Sequence, residues 1–178
     1  EIIGRTDLLK QVSRGTSNLD DLDLSPLLVQ ADPGENKRYS NSELINKIPE
    51  SLDEKIYDDI KNLIGKKNNI KKEYKIKNTN RAIGTRLSHY IYKKMNKEKI
   101  GKDLITINLF GCAGQSLGAF GIKGLKLKVI GNANDYVGKS LSGATIVIKP
   151  PKESNLISHE NTIIGNTVLY GATSGQLF

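Results

Sequence analysis

One segment of the chain has the residue types of a phosphate-binding loop. Residues 133–140 read Ala-Asn-Asp-Tyr-Val-Gly-Lys-Ser, so Gly138-Lys139-Ser140 follows a small residue and a four-residue spacer. A phosphate-binding loop follows a strand and opens a helix, whose N-terminal amides bind the phosphates. The alternation of Leu125–Ile130 predicts the preceding strand, but Leu141–Ile148 also reads as a strand. Nucleotide binding through Gly138-Lys139-Ser140 is therefore the weaker alternative.

A second segment, Gly114-Gln115-Ser116-Leu117-Gly118, fits the nucleophile elbow of serine hydrolases. That chemistry needs a histidine base and an acid in the order Ser, acid, His. His89 precedes Ser116, and only His159 follows it. The acids between them, Asp135 and Glu153, have no supporting sequence context. The glycine density of this region explains the match, and we assign no catalytic residue.

The cysteine count and the distribution of charge exclude several other kinds of site. Cys112 is the single cysteine, so the chain cannot form an intramolecular disulfide or supply an iron–sulfur cluster. No CxxC, HExxH or carboxylate spacing indicates a metal site. The net charge of +8 comes largely from the lysines of Lys66–Lys77, which we interpret as a solvated face and codon bias. Aromatic residues and clustered arginines are too few for a nucleic-acid site, and no apolar run predicts a membrane span.

The elements that would position these residues differ between the two halves of the chain. Residues 1–50 show little periodicity and read as a lead-in segment from a preceding domain. A capping box at Ser51–Glu54 and apolar spacing predict a helix at about 51–64. Residues 81–95 predict a second helix, and Tyr74–Lys77 predicts a short strand between the two.

From Leu104 onward, the apolar period changes from 3.6 to 2. Strands are predicted at Leu104–Leu109, Leu125–Ile130 and Thr145–Ile148, and further ones at Thr162–Ile164 and Thr167–Tyr170. Strand centres at Ile107, Val129, Val147 and Leu169 recur about every 20 residues, which is too short for β–helix–β crossovers.

Glycines lie between these strands and are candidates for the structural turn positions. A repeat of this length with turn glycines predicts a parallel solenoid, in which glycine adopts positive φ and permits close packing. An antiparallel glycine-rich barrel is the rival fold. The candidate turn glycines are Gly111, Gly114, Gly118, Gly124, Gly131, Gly138, Gly143, Gly165, Gly171 and Gly175.

Long blocks of the sequence resemble the C-terminal GXGXG domain of the glutamate synthase large (alpha) subunit. The blocks are Gly4–Leu9, Asn78–Gly84, Gly111–Phe120, Gly131–Lys139 and Ile164–Gly175, in that order. The resemblance implies a mostly β fold, a right-handed parallel β-helix with a helical lead-in, that occupies residues 51–178. It also implies that residues 1–50 connect from an FMN barrel, and that the β-helix continues past Phe178.

The same resemblance implies a non-catalytic role within an oxidoreductase and amidotransferase. Such an enzyme converts glutamine and 2-oxoglutarate to two glutamates, with reduced ferredoxin or NAD(P)H as electron donor. FMN and an iron–sulfur cluster are implied for the parent enzyme and no cofactor for this segment. The implied partners are the amidotransferase and FMN domains of the same polypeptide, with ferredoxin or a small NADPH-oxidising subunit. The implied compartment is the bacterial cytoplasm or the plastid stroma.

The sequence departs from the family pattern at Ser140 and Ala144, where the family has glycine. Ser140 also creates the phosphate-loop match, which favours a chance origin for that match. A second interpretation within the same fold is a separate subunit similar to the β-helix subunit of formylmethanofuran dehydrogenase. The Gly4–Leu9 block favours glutamate synthase over that subunit.

Overall fold

A computed structural model of the chain describes residues 35, 49–66, 69–95, 100–157 and 159–178. Contacts divide the chain into two units, Glu1–Lys47 and Ile48–Phe178, and the fold described below is that of the second unit. The lead-in predicted for residues 1–50 lies, apart from residues 35, 49 and 50, outside the described residues.

Two short helices and five strands make up the described fold. Helix α1 spans Leu52–Ile60 and helix α2 spans Thr85–Lys94. The strands, in chain order, are β1 at Ile70–Ile76, β2 at Ile105–Ala113, β3 at Leu125–Ala133, β4 at Ser142–Lys149 and β5 at Ser174–Leu177.

The five strands form one sheet in which the spatial order follows the chain order. All four pairs of neighbouring strands are parallel. The prediction of a mostly β, parallel fold is therefore confirmed, and the antiparallel barrel is wrong for the described part of the chain. The register places Ile107 beside Leu127 and Leu127 beside Ile146, a step of about 20 residues as predicted.

Two predicted strands differ from the structure. Thr162–Ile164 contributes one isolated bridge, between Ala133 and Ile164. Thr167–Tyr170 is a turn, because Thr167 and Leu169 adopt φ of 54° and 58°, which no strand contains. The fourth repeat is completed by β5, where Leu177 pairs with Ile146. The longer segment between β4 and β5 stretches this repeat to about 30 residues, which the even spacing did not predict.

Both helices are shorter than their predicted ranges. Helix α1 ends at Ile60 rather than residue 64, and residues 61–66 form turns. Helix α2 begins at Thr85 rather than residue 81, because Ala82 and Gly84 adopt left-handed φ of 51° and 97°. Left-handed backbone cannot continue a right-handed helix, so these residues form a turn before it.

The capping box at the start of α1 is half formed. The Ser51 amide donates to the Glu54 carboxylate over 3.2 Å, as predicted. The Glu54 amide, however, donates to the Ser51 backbone carbonyl, and the buried Ser51 hydroxyl has no hydrogen-bond partner in the described part of the chain. The first turn of α1 is therefore fixed through backbone and the Glu54 side chain.

Strand alternation builds the core. Ile107, Leu127 and Ile146 lie in register on neighbouring strands, and each is fully buried. The two helices add their apolar stripes, including Ile56 and Leu87, to the same cluster. Complete burial of side chains of this size contributes about 1.5–3 kcal/mol each. No helix among the described residues is both long and apolar enough to cross a bilayer.

Candidate functional site: stacked left-handed turns and a buried aspartate

The ends of β2 and β3 carry a pair of glycines in register. Gly111 and Gly131 lie side by side with φ of 129° and 150°, and Ile76 precedes them on β1. A Cβ atom on Gly131 would lie 2.8 Å from the carbonyl carbon of Gly111 and closer still to its oxygen. Only a residue without a side chain permits this approach, because both the backbone angle and the space exclude Cβ.

Left-handed residues also stack in columns beyond the strands. One column contains Ala82, Ser116, Tyr136 and Thr167, with φ between 51° and 64°. Backbone hydrogen bonds join its successive layers. The Ala82 amide donates to the carbonyl of Gln115, the Ser116 amide to that of Asp135, and the Tyr136 amide to that of Asn166.

A second column contains Gly84, Gly118, Gly138 and Leu169, all with positive φ. The Gly118 amide donates to Ile83, the Gly138 amide to Leu117, and the Leu169 amide to Val137. The acceptor residues Ile83, Leu117 and Val137 are almost fully buried. Each layer therefore repeats the same backbone path and satisfies its amides on the layer beside it.

The third column contains Phe120, Ser140 and Gly171, with φ of 56°, 52° and 68°. The Phe120 amide donates to Lys139, and the Ser140 amide donates to Tyr170. In the first layer this column is absent, because helix α2 begins at Thr85 directly after Gly84. Non-glycine residues hold left-handed angles here because neighbouring layers fix their hydrogen bonds.

The structure separates the ten candidate glycines into two groups. Gly114 and Gly165 have no left-handed φ, but a Cβ atom would meet neighbouring backbone, at 2.8 Å from the Asn80 oxygen and 2.7 Å from the Asp135 nitrogen. Four of the left-handed glycines lie inside strands rather than in the turns predicted for them: Gly111, Gly131, Gly143 and Gly175. The remaining left-handed positions are Gly118, Gly124, Gly138 and Gly171.

The geometry at Gly138-Lys139-Ser140 contradicts a phosphate-binding loop. The amide of Gly138 donates to Leu117, that of Lys139 to Tyr136 and that of Ser140 to Tyr170. Amides that are already bonded to carbonyl groups cannot bind phosphate oxygens. Strand β4, rather than a helix, begins two residues after Ser140, and the Lys139 ammonium lies 5.7 Å from the centre of the Tyr136 ring.

The elbow-like segment around Ser116 is likewise a layer of the turn stack. The Ser116 amide donates to Asp135, and the chain continues into the left-handed Gly118 rather than into a helix. His89 lies exposed on α2, where its ring contacts Tyr90, and His159 lies exposed beside Glu160. Strand-to-helix geometry of the nucleophile elbow is therefore absent at Ser116.

Asp53 on helix α1 is a structural residue that the sequence analysis missed. Its carboxylate accepts hydrogen bonds from the amides of Gly84, Arg86 and Leu87, over 2.8, 2.9 and 3.1 Å. These amides belong to the N-terminus of α2, where backbone N–H groups have no partner within the helix. Asp53 thus caps a helix more than 30 residues away, and it is 2% exposed.

The surroundings of Asp53 compensate its charge only in part. Burial raises the pKa of the Asp53 carboxyl above its ordinary value, and the three amides together with the Arg86 charge limit that rise. Arg86 also forms an ion pair with Glu54, the residue that follows Asp53. The available sequence signal was an acidic residue within the Ser51–Glu54 capping box, but nothing local to Asp53 identifies α2 as its partner.

The described residues contain no group of three or more His, Cys, Asp or Glu side chains that could hold a metal ion. Cys112 is half-buried near the end of β2, where its thiol lies 3.9 Å from the Ala113 carbonyl.

Parallel strands in chain order, joined through stacked left-handed turns, define a class of domain in which glycine recurs at fixed positions. The family model described as GXGXG motif matches residues 53–178, and the chain belongs to this family. The chain is 55% identical over its full length to "Glutamate synthase [NADPH] large chain" of Azospirillum brasilense. It is 42% identical to "Ferredoxin-dependent glutamate synthase 2" of Synechocystis and 40% identical to "Glutamate synthase [NADH]" of Saccharomyces cerevisiae.

The resemblance read from the sequence is thereby confirmed. In each comparison the whole chain is covered, but it spans only 12%, 12% and 8% of the respective relatives. The chain therefore corresponds to one domain found within glutamate synthases.

Proposed function

We propose that this chain is a non-catalytic structural domain of a glutamate synthase, in which residues 51–178 wind as coils of a right-handed parallel β-helix. The observation that carries the proposal is the turn stack, in which the column through Gly84, Gly118, Gly138 and Leu169 passes its backbone hydrogen bonds from layer to layer. Such a stack fixes a rigid shape while using its amides internally, which suits a scaffold better than a ligand site.

The parent enzyme, in this proposal, converts glutamine and 2-oxoglutarate to two molecules of glutamate. The relatives' names include NADPH-, NADH- and ferredoxin-dependent forms, so the electron donor of the parent is one of these. FMN and an iron–sulfur cluster would be held by other parts of the polypeptide. The single cysteine of this chain falls short of the three or four thiolates that a cluster needs.

The turn glycines and the lead-in have structural roles in the same proposal. Residues 1–50 would connect to the FMN barrel, and the domain would brace that barrel against the amidotransferase domain. The enzyme would work in the bacterial cytoplasm or the plastid stroma, with ferredoxin or a small NADPH-oxidising subunit as its redox partner. The relatives carry this segment inside a much longer chain, which favours a domain over a separate subunit.

Ligand titration of the 178-residue chain tests the non-catalytic role. We expect no saturable quenching of FMN fluorescence and no release of ammonia from glutamine. One FMN bound per chain, or glutaminase activity that copurifies with the chain, would refute the proposal.

The nucleotide-binding alternative has a separate test. Titration with ATP is expected to give no saturable binding, because the amides of residues 138–140 are already bonded. The matched variant is Lys139→Ala. Micromolar ATP binding that this variant abolishes would establish the nucleotide site and remove the purely structural interpretation.

A further inference from the structure

A groove crosses the outer face of the sheet where β2 and β3 end. It is lined by the in-register pair Gly111 and Gly131, by the apolar side chains of Phe110 and Ile130, and by Pro150-Pro151. Neither glycine can carry a side chain, because a Cβ on either one would clash with the backbone of the neighbouring strand.

Phe110 lines this groove with 40% of its surface exposed. A half-exposed aromatic ring on an in-register sheet is a typical anchor position for a partner, since it offers a large apolar area at low entropic cost. The backbone around it is held by parallel pairing to β1 on one side and β3 on the other. The part of the groove that β2 and β3 form is therefore a rigid surface.

Lysines lie on both sides of the Phe110–Ile130 pair: Lys149 lines the groove, and Lys75 lies next to Phe110 on β1, beyond the lining residues. The register forms one row across four strands: Lys75, Phe110, Ile130 and Lys149. Lys152 lines the groove as well, and Glu153 is the one acidic residue among the lining residues. Neither Lys75 nor Lys149 has an ion-pair partner among the residues that the structure describes.

The row fixes the spacing that a ligand must match. Lys75 and Lys149 lie three strand steps apart, which is about 14 Å at the usual spacing between strands. An extended peptide covers that distance in about four residues. A segment with two acidic residues about four positions apart, and one apolar side chain midway, would place carboxylates on both lysines and its apolar group against Phe110.

We propose that this groove binds such an extended acidic segment, contributed by the part of the same polypeptide that lies outside these 178 residues. The inference rests on the proposed function, because it treats the chain as one domain of a longer enzyme. The relatives support that source, since this domain accounts for 12% of the Azospirillum brasilense chain. A second copy of this face is disfavoured as the occupant, because lysine would then meet lysine.

Photo-crosslinking in the full-length enzyme tests the proposal. Phe110→benzoylphenylalanine places a photoreactive group in the groove, and Tyr170→benzoylphenylalanine places one at an exposed position elsewhere on the domain. Illumination followed by peptide mapping is expected to join position 110 to an acidic segment of the same polypeptide. The double reversal Lys75→Glu with Lys149→Glu is expected to lower the yield about tenfold. The control reversal Lys93→Glu with Lys123→Glu, at exposed lysines away from the groove, is expected to leave it unchanged.

Three outcomes would overturn the proposal. These are no cross-link above the yield at position 170, a cross-link to a second copy or another protein, and a yield that both double reversals change equally. None of them depends on flavin binding or glutaminase activity of the isolated chain. Failure of the groove proposal is thus distinguishable from failure of the structural-domain proposal.

Discussion

Asp53→Ala removes the buried carboxylate that joins α1 to α2. In the structure this side chain accepts three backbone hydrogen bonds, from Gly84, Arg86 and Leu87, at the N-terminus of α2. Without it, three amides at the start of α2 lose their partner inside the protein. The helix cannot supply substitutes, because its first N–H groups have no carbonyl within the helix to bond.

The size of the effect follows from these contacts. Removing an N-cap side chain costs about 0.5–2 kcal/mol, and each buried donor that is left unpaired costs about 1–3 kcal/mol. Water entering the vacated space satisfies some of these donors, so we expect a loss of about 4 kcal/mol in the free energy of unfolding. A domain is stabilised by only about 5–15 kcal/mol, so the variant should lie near the limit of folding.

Urea denaturation of the 178-residue chain, followed by far-UV circular dichroism, measures this loss. With a denaturant slope of about 2 kcal/mol per molar urea, the midpoint should fall by about 2 M. Asp53→Asn retains one acceptor oxygen, so its urea midpoint should fall by roughly half as much. This variant keeps the test usable if the alanine variant does not fold.

Asp58→Ala is the matched control, since it makes the same exchange on the same helix at an exposed ion pair with Lys61. Its midpoint is expected not to move. Equal shifts for Asp53→Ala and Asp58→Ala would refute the capping role, because helix propensity alone would then explain both.

Three further predictions use the same assay. Gly131→Ala should lower the free energy of unfolding by about 4 kcal/mol, because φ is 150° and the new Cβ meets the Gly111 backbone. The control Gly101→Ala should leave it unchanged, because the space around that Cβ position is open. Equal losses in the two variants would count against close packing at Gly131. Ser140→Gly should gain about 0.5 kcal/mol, because φ of 52° favours glycine; a loss would show that the hydroxyl matters more than the backbone angle. The stability that Asp53 gains from its raised pKa is fully present below its ordinary pKa of 3.8 and is lost as pH rises through the raised value. The free-energy gap between the chain and Asp53→Asn should therefore be larger at pH 4 than at pH 8, and a gap independent of pH would contradict the raised pKa.

The alternation of apolar and polar residues along short segments predicted the inner strands well, because each of these strands has one face in the core and one face outside. The strand predicted at Leu125–Ile130 continues to Ala133 in the structure, and its inward residues Leu125, Leu127 and Val129 are fully buried. The same rule failed at Thr167–Tyr170, where an apolar, β-branched sequence forms a left-handed turn. Hydrogen bonds from the neighbouring layer overrode local propensity there, and they join residues about 30 positions apart.

The phosphate-loop and elbow matches are motifs that the sequence contains but that the structure does not form as sites. Both motifs were present in the residue types, and the strand predicted after Ser140 was a local argument against the first. Neither segment forms the site that its motif predicts, because the amides of Gly138 and Ser116 already donate to carbonyl groups of adjacent layers. These hydrogen bonds depend on which carbonyl groups the fold brings close. Spacing along one chain segment cannot reveal that proximity.

The sequence by itself determined the family, because long blocks of it resemble that family. It also determined the parallel β character and the candidate glycines, because these follow from residue types, strand periodicity and the repeat of about 20 residues. Only the tertiary structure decided how Asp53 caps a distant helix, which layer bonds each left-handed turn, and how Lys75, Phe110, Ile130 and Lys149 form one row. Those features depend on strand register and on helix placement. Register and placement are fixed by packing between residues far apart in the chain, which local sequence patterns do not encode.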